Sequence, residues 1–130
     1  QILEHRTRGD CFVLSGTHDG FRRLKGRPQH LRYIEAVSGR IVIEDRVEST
    51  CRHQAVAGFL LHPSCEIEVA GQEVWVTSGP VEMMIESSIA PTVEAAEWFP
   101  NFHVRLPTQR LRYRWTAPGE TMRLILHYRA

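Results

Sequence analysis

Residues 17–48 read THDGFRRLKGRPQHLRYIEAVSGRIVIEDRVE, and this stretch decides the fold class. It contains two strand-like runs, in which apolar and polar side chains alternate with the period of two that is typical of a β-strand. The pair Ser38-Gly39 separates the runs, and a Ser-Gly pair in that position indicates a hairpin. The sequence therefore predicts paired strands over residues 30–37 and 40–48, at the centre of the fold.

The same alternation predicts which side of each strand faces the interior. The apolar side chains expected there are Leu31, Tyr33, Ile41, Ile43 and Val47, together with either Ala36 or Val37. Charged side chains such as Glu44 alternate with them on the second strand. We therefore predict that Tyr33, Ile41 and Ile43 are buried in the core.

Turn residues recur about every ten positions along the whole chain, and no segment keeps a helical period. The further segments predicted as strands are residues 11–15, 54–62, 66–69, 73–77, 81–87, 92–98, 109–116 and 122–129. Residues 18–24 fit either a turn or a short strand. Many short strands at this spacing predict an all-β fold, an antiparallel β-sandwich of two stacked sheets with no helix longer than about two turns.

Residues 109–116 show the alternation with two clearly different faces. Apolar and basic side chains alternate there, with Leu111, Tyr113 and Trp115 against Arg110, Arg112 and Arg114. This pattern predicts a half-buried strand with a basic outer face.

The bulk composition indicates one ordinary globular domain over residues 1–130. A hydrophobic content of 42% and a charged content of 24% are those of a chain that can bury a core. The net charge of +1 is too small to indicate a nucleic-acid partner. The opening QILEHRTRGD has no apolar run behind it, so no signal peptide is predicted. The apolar stretch at residues 55–61 is too short to span a membrane.

Three cysteines, Cys11, Cys51 and Cys65, lack any CxxC spacing. The pattern favours small, shielded, free thiols, with a single disulfide as the alternative, over a zinc knuckle.

His18 and Asp19 form the sharpest local pair of chemically active side chains. A carboxylate beside an imidazole can orient a base or hold a metal, which makes His18 the candidate catalytic residue. The alternative is turn chemistry at Asp19-Gly20, and turn chemistry is the favoured interpretation. Neighbours on a strand also point to opposite faces, which argues against a direct partnership.

A basic cluster follows this pair and consists of Arg22, Arg23, Lys25 and Arg27. It suits the carboxylates or sulfates of an acidic polysaccharide. A solvated loop paired with Glu35, Glu44 or Asp45 is an equally weighted alternative. The candidate substrate-binding residues are His18, Asp19, Arg22, Arg23 and Arg27.

The other histidines and the aromatic residues give weaker signals. The histidines at positions 30, 53, 62, 103 and 127 show no HxH or HExxH spacing, so no metal ligand is assigned among them. Most aromatic residues alternate along strands and are expected in the core. Trp98 and Phe99, beside Pro100-Asn101-Phe102, instead form a loop cluster suited to docking or ligand contact.

Several segments together resemble one known family. They are the segment HDGFRRL at residues 18–24, the basic residues after His30 and the segment IEDRVE at residues 43–48. Further matches are FLLHPSCEIEVAGQEVWV, WFPNFHVRLPTQRLRYRW and PGETMRLILHYR. The sequence of these segments resembles that of the C-terminal β-domain of heparinase II/III-like polysaccharide lyases.

The resemblance implies part of a bacterial enzyme, periplasmic or cytoplasmic, that acts by β-elimination on uronic-acid-containing polysaccharide such as heparin or heparan. In that family an upstream helical toroid and a His-Asn segment supply most catalytic groups, and this sequence contains neither. The chain is therefore expected to be an inactive accessory domain that supports one wall of a substrate cleft. A stand-alone carbohydrate-binding or interaction module is the alternative, and a complete small enzyme ranks third.

The resemblance also bears on cofactors and partners. Some relatives carry zinc in the β-domain, but their ligands cannot be matched to residues of this chain. No cofactor is therefore predicted, and a structural zinc stays unassigned. The expected partners are an acidic polysaccharide and the upstream helical toroid, with no nucleic acid and no membrane.

Overall fold

A computed structural model describes residues 1–129, and these residues form eleven β-strands and no helix. The strands are β1 (Ile2–Arg8), β2 (Cys11–His18), β3 (Gln29–Val37), β4 (Arg40–Glu48), β5 (His53–Leu60), β6 (Glu66–Ala70), β7 (Glu73–Ser78), β8 (Val81–Ser87), β9 (Thr92–Trp98), β10 (Leu106–Ala117) and β11 (Met122–Arg129). The same residues contain no helix with the length and apolar character needed to cross a membrane.

The strands form two antiparallel sheets that pack face to face. The larger sheet has eight strands in the order β1-β2-β3-β4-β11-β8-β7-β6, and the smaller has three in the order β5-β10-β9. This architecture confirms the predicted all-β sandwich.

The core lies between the central strands of the two sheets. From β10, Leu111, Tyr113 and Trp115 are buried, while the arginines between them lie on the other face, as the alternation predicts. They pack against buried side chains of the larger sheet: Val74, Val76, Ile85, Met122 and Leu124. Burial raises the pKa of Tyr113 to about 12.

The predicted hairpin is confirmed, and it occupies a central position in the larger sheet. Ser38 and Gly39 form the turn, with Gly39 at a φ of 77° that favours glycine. β4 pairs with β3 on one side and with β11 on the other. Ile43 lies opposite the buried Leu124, so Ile43 faces the core and packs against it, although it is only partly buried.

The predicted burial of the hairpin side chains is only partly right. Ile41 lies on the same core-facing side as Ile43 but is likewise only partly buried. The buried positions of β4 are Val42, on the opposite face, and Asp45. Charged and apolar residues therefore occur on both faces of this strand.

The predicted direction of Tyr33 is wrong. Tyr33 lies opposite Glu44, on the outer face, and its hydroxyl donates a hydrogen bond to Glu35 at 2.9 Å. Leu31 shares that outer face, whereas Ala36 lies opposite Ile41 and faces the core. The error arose because β3 carries apolar residues at both odd and even positions.

The largest of the remaining differences lie at the start of the chain, whereas β5 and β10 differ from the predicted strands only in their bounds. β1 is a polar edge strand, exposed along most of its length, that the sequence did not indicate. β2 continues beyond Gly16 to His18, and turns rather than a strand follow it up to Gly26. Among the described residues the three cysteines are free and partly shielded, as predicted.

Candidate functional site

A groove opens where the larger sheet extends beyond the smaller one. Its volume is about 480 Å³, within the range of roughly 300–1,000 Å³ that is usual for small-ligand sites. The inner face of β2, β3 and β4 forms its floor, and the edge of β5 forms one wall. The lining residues are His18, Phe21, Leu24, Pro28, His30, Arg32, Asp45, Val47, His53–Gly58 and Trp115.

Strand register brings the polar groups of the groove together. His18 lies opposite His30, and Arg32 lies opposite Asp45. Directly opposed residues of antiparallel strands share a face, so all four side chains belong to the inner face of the larger sheet. The hairpin that organises the fold therefore also assembles the groove.

Asp45 is the electrostatic centre of the groove, because its side chain is buried and fully hydrogen-bonded. Its residue is 0% exposed. Its Oδ1 accepts hydrogen bonds from Arg32 Nε at 2.7 Å and is 2.8 Å from His30 Nε2, and its Oδ2 accepts from a terminal nitrogen of Arg32 at 2.6 Å. The two hydrogen bonds from Arg32 fix the plane of its guanidinium, and the contact to His30 fixes the imidazole ring.

The pKa values in this cluster follow from the same contacts. Burial by itself would raise the pKa of Asp45, but the hydrogen bonds from Arg32 and His30 outweigh it and hold that pKa below its ordinary value. The hydrogen bonds to Asp45 likewise raise the pKa of Arg32. The carboxylate and the guanidinium therefore stay charged together.

His18 faces the groove, but Asp19 does not partner it. The His18 ring lies 5.1 Å from the His30 ring and 5.2 Å from the Phe21 ring, between centroids. Its Nδ1 accepts a hydrogen bond from the backbone N–H of Gly20 at 3.3 Å. The Asp19 carboxylate points to Arg22 instead, at 3.6 Å, so the local pairing is turn chemistry.

The basic cluster lies on the exposed turn beside the groove. Arg22, Arg23 and Arg27 are exposed, and only the apolar Phe21 and Leu24 of this turn line the groove. Three successive i to i+3 backbone hydrogen bonds hold the segment between Asp19 and Arg27. The cluster therefore stands at the side of the groove with its cations in solvent.

The acidic partners considered for this cluster are engaged elsewhere. Glu35 pairs with Arg40 at 3.9 Å, and Glu44 pairs with Arg123 at 3.1 Å. Asp45 is held within the groove. The turn cations other than Arg22 have no carboxylate within ion-pair distance among residues 1–129.

The sequence analysis missed the central role of His30, Arg32 and Asp45. A signal was present, because Arg32 and Asp45 are equally distant from the Ser38-Gly39 turn and must therefore face each other across the hairpin. In the sequence analysis Asp45 is named only as a possible partner of the basic turn and Arg32 is given no role, so the pair is not predicted.

Some relatives carry zinc in the β-domain, and the groove side chains that could bind a metal make other contacts in this structure. Both oxygens of Asp45 are engaged, and His53 Nε2 is 2.8 Å from the carbonyl oxygen of Lys25. In the described part of the chain, no three side chains of His, Cys, Asp or Glu lie close enough to hold a metal ion.

The aromatic loop cluster lies at the far end of the smaller sheet from the groove. Trp98 pairs with Leu106 at the start of β10, whereas His53 of the groove pairs with Ala117 at its end. Phe99 is exposed, and Phe102 is 89% exposed. The cluster therefore does not contribute to the groove.

Comparison with family models identifies the chain. The model for the heparinase II/III-like C-terminal domain matches residues 2–130. The chain belongs to this family. Among curated protein sequences there is no match.

Solved structures with the same fold include the heparan sulfate lyase HepC from Pedobacter heparinus, with a TM-score of 0.83 and 12% identity. The heparinase III-BT4657 gene product has a TM-score of 0.78, also at 12% identity. In both comparisons the similarity covers 98% of this chain and 21% of the other, so the heparinase II/III-like domain spans about a fifth of these proteins.

Proposed function

We propose that this heparinase II/III-like domain forms one wall of the substrate cleft of a bacterial polysaccharide lyase. The proposed enzyme cleaves uronic-acid-containing polysaccharide, heparin- or heparan-like or related, by β-elimination. The observation that carries the proposal is the groove in which buried Asp45 fixes Arg32 and His30. A fixed cation beside apolar surface suits a sugar ring that bears a carboxylate or a sulfate.

Arg32 is the group best placed to receive the anion. Its side chain is 39% exposed, so part of the guanidinium faces the groove while the rest is bonded to Asp45. A guanidinium has five N–H donors, and Asp45 engages only two of its nitrogens. Phe21 and Leu24 supply apolar surface for the less polar face of a sugar.

The basic turn extends this site for a longer chain. We assign substrate binding to His18, Asp19, Arg22, Arg23 and Arg27, with Asp19 acting through its ion pair to Arg22. Exposed arginines next to a groove attract a polyanion over distances of about a Debye length, roughly 8 Å at physiological salt. His18 is the one candidate acid–base group among these residues, because its ring lines the groove.

The domain supplies a wall rather than a complete active site. β-Elimination needs a base for the C5 proton, an acid for the leaving oxygen and a clamp for the carboxylate, all at one sugar. The groove offers an anion clamp and imidazoles, and one of these imidazoles is bonded to Asp45. We assign the missing groups to the helical toroid of a longer parent protein, which makes that toroid the partner of this domain.

A titration of the ¹⁵N-labelled domain with a short acidic oligosaccharide, followed by nuclear magnetic resonance, tests the proposal. We expect weak saturable binding, with a Kd of about 1 mM. Shifts should concentrate at residues 18–32, at Asp45 and along residues 53–58. The double variant Arg22→Gln, Arg23→Gln should weaken binding several-fold.

A neutral oligosaccharide of the same length and the double variant Arg40→Gln, Arg123→Gln serve as controls. This second variant removes the same charge from the outer face of the larger sheet. Shifts confined to residues outside the groove and the turn, or equal binding of the neutral sugar, would contradict the proposal.

A further inference from the structure

We propose a second polyanion-binding surface on the outer face of the smaller sheet, formed by Arg110, Arg112 and Arg114. We call it the arginine row. Its ligand is the same class of acidic polysaccharide, so this inference rests on the proposed function and extends it to a longer stretch of polymer.

Strand geometry spaces the three cations evenly. Arg110, Arg112 and Arg114 are alternate residues of β10, so their side chains leave the sheet on the face opposite the buried Leu111 and Tyr113. Alternate residues on a strand are about 6.8 Å apart, so the row is about 14 Å long. Acidic polysaccharides carry their charges at regular intervals along an extended chain, which suits an extended row of cations.

The charge balance of the row differs from that of the other arginines. One carboxylate, Glu94, is shared by Arg110 at 3.1 Å and Arg112 at 3.0 Å. Within residues 1–129, Arg114 has no carboxylate within 4 Å. Three cations thus face one anion, a net charge of +2.

Most arginines elsewhere on the strands pair with a carboxylate one to one. The exception among residues 1–129 is Arg8, at the end of the edge strand β1, which has no carboxylate within 4 Å. On the larger sheet Arg40 pairs with Glu35, and Arg123 pairs with Glu44. Such pairs satisfy the cation locally and leave little charge for a ligand. The arginine row is therefore the place on the sheet faces where unsatisfied positive charge is concentrated.

The neighbouring strands leave the arginine row open. On β5 the residues opposite Arg112 and Arg114 are Gly58 and Val56, and on β9 the residue opposite Arg112 is Thr92. A Cβ atom at Gly58 would lie 3.1 Å from Cδ of Arg110. The lack of a side chain at Gly58 therefore leaves room for the aliphatic part of the Arg110 side chain. No acidic side chain of β5 competes for the row.

The arginine row and the groove meet at strand β5. Residues 53–58 line the groove along the edge of β5, and two of them, Val56 and Gly58, lie beside the row. A polymer that leaves the groove over this edge reaches Arg114 and Arg112 next. The two sites therefore form one path for a long chain, whereas a short oligosaccharide occupies only the groove.

The decisive experiment compares long and short acidic polysaccharide. For the double variant Arg112→Gln, Arg114→Gln, we expect the affinity for a long heparin chain to fall about tenfold. The slope of log K against the logarithm of the salt concentration should decrease in magnitude by about two. Affinity for a tetrasaccharide should be unchanged. Glu94→Gln should act in the opposite direction and tighten binding of the long chain, since it frees two arginines.

The control is Arg40→Gln, Arg123→Gln, which removes two cations from the other sheet and should leave the salt slope unchanged. An unaltered salt slope in the variant of the row, or weaker binding with Glu94→Gln, would overturn this inference. The variant Arg22→Gln, Arg23→Gln tests the groove separately through its effect on the tetrasaccharide. Failure of the arginine row and failure of the proposed function are thus distinguishable.

Discussion

At the residue scale, Asp45 shows how a single buried charge serves both stability and the groove. An ionised carboxylate without partners would be strongly disfavoured at 0% exposure, and two hydrogen bonds from Arg32 with one contact to His30 offset that cost. Once those partners are present, Asp45 fixes the direction of both. The groove cation is thus held in place before any ligand arrives.

We predict that Asp45→Asn destabilises the domain by about 3 kcal/mol, the lower end of the range for breaking a buried pair, because Arg32 retains contact with solvent. Denaturant unfolding at neutral pH measures the change. Asp19→Asn is the matched control, since its carboxylate is exposed and its pair with Arg22 is 3.6 Å long. The control should change stability by less than about 0.5 kcal/mol. A similar small change for Asp45→Asn would contradict the assigned role.

The stabilisation from Asp45 should depend on pH in a defined direction. Its pKa in the folded state is lowered from the ordinary 3.8, so the unfolded chain binds a proton more readily than the folded one. The contribution is complete above about pH 5, and it is lost as pH falls through 3.8 towards the folded value. We expect the stability difference between wild type and Asp45→Asn to shrink over that window. A difference that grows on acidification would contradict the pKa assignment.

At the element scale, the β3–β4 hairpin couples the groove to the core. Its even-numbered positions on β3 and odd-numbered positions on β4 face inward. Ile43 packs against the core towards the turn end, whereas His30, Arg32 and Asp45 form the groove at the other end. A change of register by one residue would exchange the two faces and remove both features.

We predict that Ile43→Ala costs about 2 kcal/mol, the lower end of the range for such truncations, because the side chain packs against the core but is only partly buried. Ile2→Ala is the matched control, since Ile2 is 70% exposed at the edge strand and should cost less than about 0.5 kcal/mol. Both changes are measured by urea unfolding. Equal effects of the two truncations would show that Ile43 does not contact the core.

The elements were predictable from the sequence where the signal is local. Glycine turns and a period of two placed the hairpin, and they placed β8, β9 and β11 with their observed bounds. β1 was missed because an edge strand exposed on both faces needs no apolar period. Tyr33 was assigned to the wrong face because β3 has apolar residues on both sides, so only pairing with β4 decides between them. His18 was predicted, but the cluster of His30, Arg32 and Asp45 was missed, because a buried ion pair depends on strand register and not on composition.

At the scale of the whole molecule, the unequal size of the two sheets creates both of the proposed binding surfaces. Eight strands face three, so the inner face of β2–β4 is left partly uncovered and becomes the groove. The three-stranded sheet carries the arginine row on its outer face. We propose that both surfaces bind anions, but neither surrounds a sugar.

The final prediction is that residues 1–130 alone do not cleave polysaccharide. A base, an acid and an electrophilic clamp must converge on one sugar. In our proposal Arg32 provides the clamp, whereas His30 is bonded to Asp45. His18 is the remaining candidate base, and its Nδ1 already accepts a hydrogen bond from Gly20. A groove open to solvent on one side also leaves water at the reacting carbon, which weakens any electrostatic stabilisation of the transition state.

Ultraviolet absorbance of the unsaturated uronate product checks this prediction during incubation with heparan, chondroitin and alginate. A lyase that includes the helical toroid provides the positive control, and the His18→Ala variant of this domain provides the negative one. We expect no increase in absorbance above the rate of the variant. Steady product formation that His18→Ala abolishes would make His18 a catalytic base within a complete small lyase. The domain would then be an enzyme in its own right, because no toroid would be needed to bring the proton acceptor and the anion clamp to the same sugar.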